Sequence, residues 1–210
     1  MALAGVLPAP YVKHPTGIRK MEDFLSATLL FPEYIEEVFT MQTDNTMRNL
    51  EIYRDAVGDK IQAIRVSTSD YGGQNGGLIP PRVFKELYKP HYQRINDWIH
   101  KNTSWKTMYH CCGSVIDYLD DFVEMGVDIL NPVQLSARGM DPVMLKQKYG
   151  DKITFMGGIE NRLVDFDGWT NENNREVIRK TIDECGNKYF IPCIAQGGPG
   201  SVFPGVYADM

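Results

Sequence analysis

A histidine and two adjacent cysteines stand together near the middle of the chain, in the stretch KTMYHCCGSV at 106–115. If this stretch is a β-strand, alternate side chains share a face, so His110 and Cys112 point the same way and Cys111 points to the other side. An imidazole and a thiolate on one face are ligands that zinc prefers. The spacing therefore predicts that His110 and Cys112 bind Zn²⁺ together.

A catalytic zinc site needs a third protein ligand and keeps one position open. Cys193, near the end of the last predicted strand, is the candidate, and Asp70 and Glu160 are alternatives that would supply an oxygen. The same H-x-C pattern also occurs without a metal, because cysteine is among the most buried residues and histidine is often a hydrogen-bonded core residue. Spacing alone leaves the two interpretations open.

A second group of polar residues lies in STSDYGGQNGG at 67–77, where a predicted strand ends in an acid and a glycine-rich loop follows. Glycines permit positive φ angles and a close approach of the backbone to a ligand. Asp70 and Gln74 are therefore candidates for catalysis or for orienting a substrate. The alternative is a simple turn, in which Asp70 accepts hydrogen bonds from backbone amides.

The elements that must position these residues follow from periodicity. Short β-branched or apolar runs predict strands at 61–67, 106–111, 127–133, 152–158 and 188–196. Helical spacing predicts helices at 21–30, 32–57, 81–102, 114–126, 141–150 and 171–186. Pro90 should kink or split its helix, while Ser114 and Asp141 should cap the helices that follow them.

Strands that alternate with helices favour a parallel sheet with right-handed crossovers, either open and doubly wound or closed as a (β/α)8 barrel. Polar residues at the end of every strand favour the barrel, because they would then meet around one site. Besides the zinc candidates, the possible substrate-binding residues among them are Asn131, Gln134, Glu160 and Gln196.

The strand count predicts an incomplete barrel. A barrel of this class has eight strands, whereas the pattern predicts five, which form five βα units over 61–196 behind a helical lead-in at 1–57. The simplest account is one domain over 1–210 that lacks the first part of the barrel. Such a sheet would expose two edges and an unclosed core, which predicts self-association or instability. It also leaves open that the protein is an inactive barrel fragment or a binding module.

Composition excludes some partners and favours a compartment. The net charge is −5 at pH 7, which argues against a nucleic-acid surface, and no apolar run is long enough to cross a membrane. The first ten residues, MALAGVLPAP, have no basic segment and two prolines, so they do not predict an export signal. Without export, four cysteines are expected to be thiols, and we predict a cytoplasmic protein.

Several stretches together resemble the uroporphyrinogen decarboxylase superfamily. They are SDYGGQNGGLIPPRVFKELYKPHYQRI, YHCCGSVIDYLDDFVEMGVDILNPVQLSARGMDPVMLKQKYGDKITFMGGIE and YFIPC, in this order. The resemblance implies a (β/α)8 barrel with its site at the carboxyl ends of the strands. It also implies a longer relative, whose first strands this sequence does not contain.

Two branches of that superfamily imply different functions. Its cobamide-dependent methyltransferases move a methyl group from a methylcorrinoid protein to a thiol and bind zinc through an H-x-C pair and a later cysteine, which here implies His110, Cys112 and Cys193. The corrinoid would be carried by a partner protein. Its decarboxylases act on a tetrapyrrole without metal or cofactor, which implies that Asp70 lies near the pyrrole nitrogens and that the cysteines are incidental.

Overall fold

A computed structural model of the protein describes residues 4–6, 20–67, 69–159, 171–186 and 188–194. Its strands, in chain order, are β1 (Ala4–Val6), β2 (Ala63–Ser67), β3 (Gly72–Gly73), β4 (Gly76–Gly77), β5 (Lys106–His110), β6 (Ile129–Val133), β7 (Thr154–Ile159) and β8 (Phe190–Ile194). Six of them form one parallel sheet in the order β1-β2-β5-β6-β7-β8, and β3 pairs with β4 in a short antiparallel hairpin.

Helices connect and cover these strands. They are α1 (Met21–Leu30), α2 (Pro32–Val57), α3 (Pro81–Val83), α4 (Lys89–Asn102), α5 (Leu119–Glu124), α6 (Pro142–Tyr149) and α7 (Asn171–Cys185). Sequential neighbours in the sheet with helices between them give the incomplete (β/α)8 barrel that the sequence predicts, with all five predicted strands present.

The structure adds one strand to the predicted parallel sheet. Residues Ala4–Val6 pair in parallel with Ala63–Arg65 of β2, so the lead-in predicted as helical begins with a strand. A run of three residues is too short to show a period of two, which explains why periodicity missed it. The five predicted strands are shorter than their apolar runs, because pairing does not extend over the whole run. For example, β5 stops at His110 and β6 starts only at Ile129.

An aromatic layer joins the sheet to its covering helices. On the helix-facing side of β5, the ring of Tyr109 lies 4.8 Å from that of Tyr92 on α4 and 4.8 Å from that of Phe122 on α5. Phe84 packs against Tyr118 and Phe122 at 5.0 and 5.6 Å. These rings are almost fully buried, so this layer fixes β5, and the residues at its carboxyl end, against the rest of the fold.

The helix predicted at 81–102 changes its winding just before Pro90. Residues Phe84–Tyr88 form a π-helical segment, and the backbone N–H of Lys89 donates to the carbonyl of Phe84, five residues back. Pro90 has no N–H and cannot continue the usual pattern at this point. The wider turn accommodates that loss, and α4 then runs to Asn102 without a break.

Of the two predicted helix caps, one is confirmed and one is wrong. The carboxylate of Asp141 accepts a hydrogen bond from the backbone N–H of Met144 at 2.8 Å, as an N-cap does. The hydroxyl of Ser114 instead donates to the carbonyl of Arg138 at 2.6 Å, and the next helix begins later, with a 3₁₀ turn at Ile116–Tyr118. Ser114 therefore ties two loops together and caps no helix.

The Asp141 cap makes a first prediction about stability. Replacing Asp141 with alanine should lower the free energy of unfolding by about 1 kcal/mol, because an amide at the start of α6 loses its acceptor. Chemical denaturation measures this change. The control is Asp151→Ala, the same substitution in an exposed turn after α6, which should change stability by less than about 0.5 kcal/mol. Equal losses in the two variants would contradict the role of the cap.

None of the helices in the described part of the chain combines the length and the apolar character that a membrane crossing requires.

Candidate metal centre

Three side chains meet at the carboxyl ends of β2 and β5. Asp70 lies in the loop after β2, His110 is the last residue of β5, and Cys112 follows two residues later. Nε2 of His110 lies 3.7 Å from Sγ of Cys112 and 3.8 Å from Oδ1 of Asp70, and all three ligand atoms lie within 4.8 Å of one another. We call these residues the Asp–His–Cys trio.

The donor atoms of the trio fit zinc. A tetrahedral zinc ion sits about 2.0–2.3 Å from its nitrogen, oxygen and sulfur ligands. Ligand atoms in such a shell are therefore about 3.3–3.8 Å apart, close to the two separations measured from Nε2 of His110. The trio offers three ligands, which is the number that a catalytic site supplies while its fourth position stays open for a substrate.

Asn131 orients the imidazole. Its Oδ1 lies 3.0 Å from Nδ1 of His110, and the two residues are direct partners in the pairing of β5 with β6. Because an amide oxygen only accepts, this contact assigns the proton to Nδ1 and leaves the lone pair of Nε2 for a metal. Nδ2 of Asn131 also approaches the carbonyl of Met156 at 3.5 Å. Asn131 therefore positions His110, and its role in binding a substrate stays a prediction.

A second prediction follows from this contact. Asn131→Ala should weaken zinc binding by about 10- to 100-fold, because the ring loses the partner that fixes its tautomer and direction. Competition with a chromogenic chelator measures the affinity. Asn131→Asp supplies the matched comparison, since a carboxylate oxygen also accepts from Nδ1–H and should retain most of the binding. An alanine variant with unchanged affinity would show that His110 needs no such support.

Asp70 is hydrogen-bonded to the loop that carries Cys112. Its Oδ1 accepts a hydrogen bond from the backbone N–H of Cys112 at 3.0 Å, and its side chain is 34% exposed. The sequence left open whether Asp70 caps amides or serves a ligand. The structure shows the first contact directly, and the same carboxylate also completes the trio.

Two glycines let the loops after β2 and β5 touch. A Cβ added to Gly113 would lie 2.5 Å from the carbonyl carbon of Gly72, far inside normal contact. The φ angle of Gly113 is +80°, which also favours glycine. The backbone N–H of Ser114 donates to the carbonyl of Gly73 at 2.8 Å across the same contact. This close approach brings Asp70 to the loop that carries Cys112.

Two more of the predicted site residues, the catalytic candidate Gln74 and the substrate-binding candidate Gln134, contact the loops of the protein. Nε2 of Gln74, at the exposed tip between β3 and β4, donates to the carbonyl of Ser136 at 2.6 Å. Oε1 of Gln134 accepts from the backbone N–H of Gly113. Both contacts hold the loops around the trio. Glu160 and Gln196 lie outside the described residues.

Cys193 does not belong to the trio in the described structure. It lies on β8, paired with Gly158 of β7, while His110 is on β5, three strands away in the sheet. Ladder partners share a sheet face: Met108, on the face of His110, pairs with Ile129, and Ile129 pairs with Thr154. Met156, two residues after Thr154, pairs with Ile191. Alternation then puts Cys193, two residues after Ile191, on the sheet face that carries His110. Partial burial raises the pKa of this thiol to about 11.

Cys111 points to the other face, as alternation predicts. Its side chain is fully buried, and the backbone N–H of Tyr71 donates to its sulfur at 3.1 Å. Burial raises the pKa of the Cys111 thiol to about 12. Burial also raises the pKa of Cys185, at the end of α7, to about 12. Neither thiol contributes to the trio.

The two buried thiols give a third prediction. Cys111 and Cys185 should resist iodoacetamide at pH 8, because both are protonated and shielded in the folded state. Peptide mass spectrometry after a short reaction measures the modified sites. In denaturant all four cysteines should react, which controls for reagent and detection. Rapid modification of Cys111 in the folded protein would mean that β5 opens easily.

The fold and the trio together define a barrel-type α/β protein with a candidate metal centre at the carboxyl ends of its strands. The model of the family described as uroporphyrinogen decarboxylase (URO-D) matches residues 3–192. The chain therefore belongs to the uroporphyrinogen decarboxylase family.

Among solved structures, a methyltransferase from Methanosarcina mazei is similar to this chain with a TM-score of 0.70 and 16% sequence identity. The match covers 99% of this chain and 58% of that one, so the chain spans little more than half the length of the methyltransferase. At this identity the likeness supports the fold alone. No curated protein matches the chain.

Proposed function

We propose that the protein is a zinc-dependent methyltransferase that moves a methyl group from a methylcorrinoid protein to the sulfur of a small thiol. The observation that carries this proposal is the trio: Nε2 of His110 lies 3.7 Å from the sulfur of Cys112 and 3.8 Å from a carboxylate oxygen of Asp70, separations that fit a zinc shell. The fold shared with a methyltransferase supports it, since both chains would carry a site at the same end of the sheet.

Each residue of the site has a role in this proposal. His110 and Cys112 bind the metal, and Asn131 holds the His110 ring with its Nε2 directed at the metal. Asp70 is a third ligand, or an acceptor that orients the substrate while Cys193 serves as third ligand. Zn²⁺, when bound, lowers the pKa of a thiol and supplies thiolate near neutral pH. Gln74 and Gln134 keep the surrounding loops in place.

Methyl transfer is the experiment that tests the function. The zinc-loaded protein is incubated with a methylated corrinoid and a small thiol, and loss of the methyl–cobalt absorbance is followed with the appearance of the thioether. We expect turnover with the native chain and a loss of at least about 100-fold in Cys112→Ala. Cys111→Ala is the matched control and should retain the rate. Absence of turnover with every thiol tested would exclude the proposal.

The family description supports a second candidate, decarboxylation of a tetrapyrrole without a metal. In that case Asp70 would contact the pyrrole nitrogens, and removal of zinc would leave activity unchanged. Chromatography of porphyrins after incubation with uroporphyrinogen distinguishes the two functions. Product formed by chelator-treated protein would favour the decarboxylase.

We place the methyltransferase in the cytoplasm, where its cysteines would stay reduced as metal binding requires. Its partners would be the thiol and the protein that carries the corrinoid. β1 and β8 are the outer strands of the described sheet, and their open edges are the surfaces through which we expect any self-association. Size-exclusion chromatography with light scattering measures the oligomeric state.

A further inference from the structure

A groove lies on the outer surface where α1, α2 and the π-helical segment meet. Its walls come from the end of α1, the start of α2 and the turn that runs from α3 into the π-helical segment, and its volume is about 380 Å³. The apolar part of its lining consists of Leu29, Pro32, Val83 and Leu87. Val83 and Leu87 are almost fully buried and form the floor, whereas Leu29 is 54% exposed. We call this feature the corner groove.

The apolar surface continues from the corner groove onto the link between α1 and α2. Leu30 is 69% exposed and Phe31 is 62% exposed, and both stand between Leu29 and Pro32 in the chain. The end of α1 holds Phe31 in this place, since its backbone N–H donates to the carbonyl of Ala27 at 2.8 Å. Single exposed apolar residues are ordinary, but a contiguous patch beside a groove is typical of a surface that another molecule covers.

The rim of the corner groove is acidic. Glu33 and Glu36 of α2 and Glu86 of the π-helical segment line it together with one described basic residue, Arg82. Arg82 is already bonded to Glu86 at 2.6 Å, so it neutralises one carboxylate and leaves two. One of these two, Glu36, lies 3.2 Å from Nε2 of His91, which carries a charge only when it is protonated. Negative charge is therefore in excess around an apolar floor.

This combination of charge and apolar surface selects the occupant. A second copy of the chain that used the same surface would bring its own acidic rim against this one, and like charges face to face repel. Nucleic acids and the cytoplasmic surface of membranes are anionic and would be repelled as well. A protein segment that combines large apolar side chains with lysine or arginine would fill the floor and pair its charges with the rim.

We propose that the corner groove binds a segment of a partner protein in which a leucine, a phenylalanine or a similar side chain is flanked by lysine or arginine. The apolar side chain lies on Val83 and Leu87, and the basic groups pair with Glu33 and Glu36 at the rim. Phe31 is covered at the border of the same interface. The inference is independent of the proposed methyl transfer, because none of these residues belongs to the Asp–His–Cys trio.

Selection of peptides tests the chemistry of the occupant. A displayed library of short random peptides is selected on the immobilised native chain at physiological ionic strength. We expect the recovered peptides to combine large apolar residues with lysine or arginine, because both parts of the surface then find a partner. Recovery of acidic or uncharged peptides alone, or of no peptide that binds saturably, would overturn the proposal.

Four variants then locate the binding of a recovered peptide, measured by fluorescence anisotropy. Leu29→Ser removes apolar surface from the corner groove and Glu33→Lys reverses a charge at its rim, so each should weaken binding at least fivefold. Ile52→Ser and Glu51→Lys are the matched controls and should leave binding unchanged, since both residues lie on α2 about 27 Å along the helix from the groove. All four side chains are exposed, so these substitutions should leave the core intact. Equal affinities in the four variants would refute the site, and Glu33→Lys alone decides if Leu29→Ser does not fold.

Light scattering and vesicle sedimentation distinguish the other occupants. A native dimer that Leu29→Ser converts to a monomer would assign the corner groove to a second copy of the chain. Binding to vesicles of phosphatidylcholine and phosphatidylserine that the same substitution abolishes would assign it to a lipid surface. We expect neither effect, and either one would overturn the proposal.

Discussion

Replacing His110 or Cys112 with alanine is expected to weaken zinc binding by on the order of a hundredfold or more. Structural zinc sites bind with about 10–16 kcal/mol over four ligands, so each ligand contributes roughly 2.5–4 kcal/mol, and 1.4 kcal/mol is a tenfold change in affinity. The loss should be larger for Cys112, since the thiolate also supplies a negative charge. Elemental analysis and chelator competition on protein purified without chelators measure it.

Cys111→Ala is the matched control for that experiment. It removes the neighbouring sulfur on the other face of the chain, where the thiol is buried behind the trio. Its zinc affinity should equal that of the native protein. A similar loss in Cys111→Ala and Cys112→Ala would mean that the effect comes from disturbed packing, and native protein that binds no zinc would refute the metal centre.

A second pair of variants tests which residue is the third zinc ligand. Asp70→Asn keeps an oxygen that can accept from the backbone N–H of Cys112 but removes the charge. Cys193→Ser removes the sulfur that the family resemblance implies as a ligand. Because Asp70 already lies 3.8 Å from Nε2 of His110, we expect the larger loss in Asp70→Asn. A larger loss in Cys193→Ser would assign that cysteine to the site.

Replacing Gly113 with alanine should destabilise the protein by about 4 kcal/mol and disorganise the trio as well. The added methyl group would lie 2.5 Å from both the carbonyl carbon and the carbonyl oxygen of Gly72, and these backbone atoms cannot rotate away. Relief requires the loops after β2 and β5 to separate, which would move Asp70 away from Cys112. The free energy of unfolding and the zinc affinity should therefore fall together.

Gly126 supplies the control for this substitution. Its φ angle is also +80°, but an added Cβ would come no closer than 3.4 Å to any atom, the nearest being Cε1 of His100. Gly126→Ala should cost only about 1–2 kcal/mol, from backbone strain, and leave zinc binding unchanged. Equal stability losses in the two variants would show that the contact between the loops is unimportant.

The sequence predicted the fold well because its signals are local and repeated. Alternation of short apolar runs with amphipathic stretches is enough to predict a parallel α/β sheet, and all five predicted strands are present. The cap at Asp141 is equally local and is confirmed. The prediction for Ser114 was wrong because the hydroxyl binds a carbonyl of Arg138, which is remote in sequence.

The site was predictable only in part, because some of its contacts join residues that are remote in sequence. The pairing of His110 with Cys112 depends on two residues of one strand and follows from alternation alone. The proximity of Asp70, 40 residues earlier than His110, depends on a contact between Gly72 and Gly113 that no periodicity shows. Asn131 could have been recognised as the partner of His110 only from the register of β5 and β6.

By itself, the sequence determined which residues alternate along each strand, and therefore that His110 and Cys112 share a face while Cys111 is buried behind them. The tertiary structure decided which distant residues join them: Asp70 by the contact of two loops, and Asn131 by strand register. The physical reason is that the direction of a side chain is set by its own backbone, whereas its neighbours are set by packing between segments far apart in the chain.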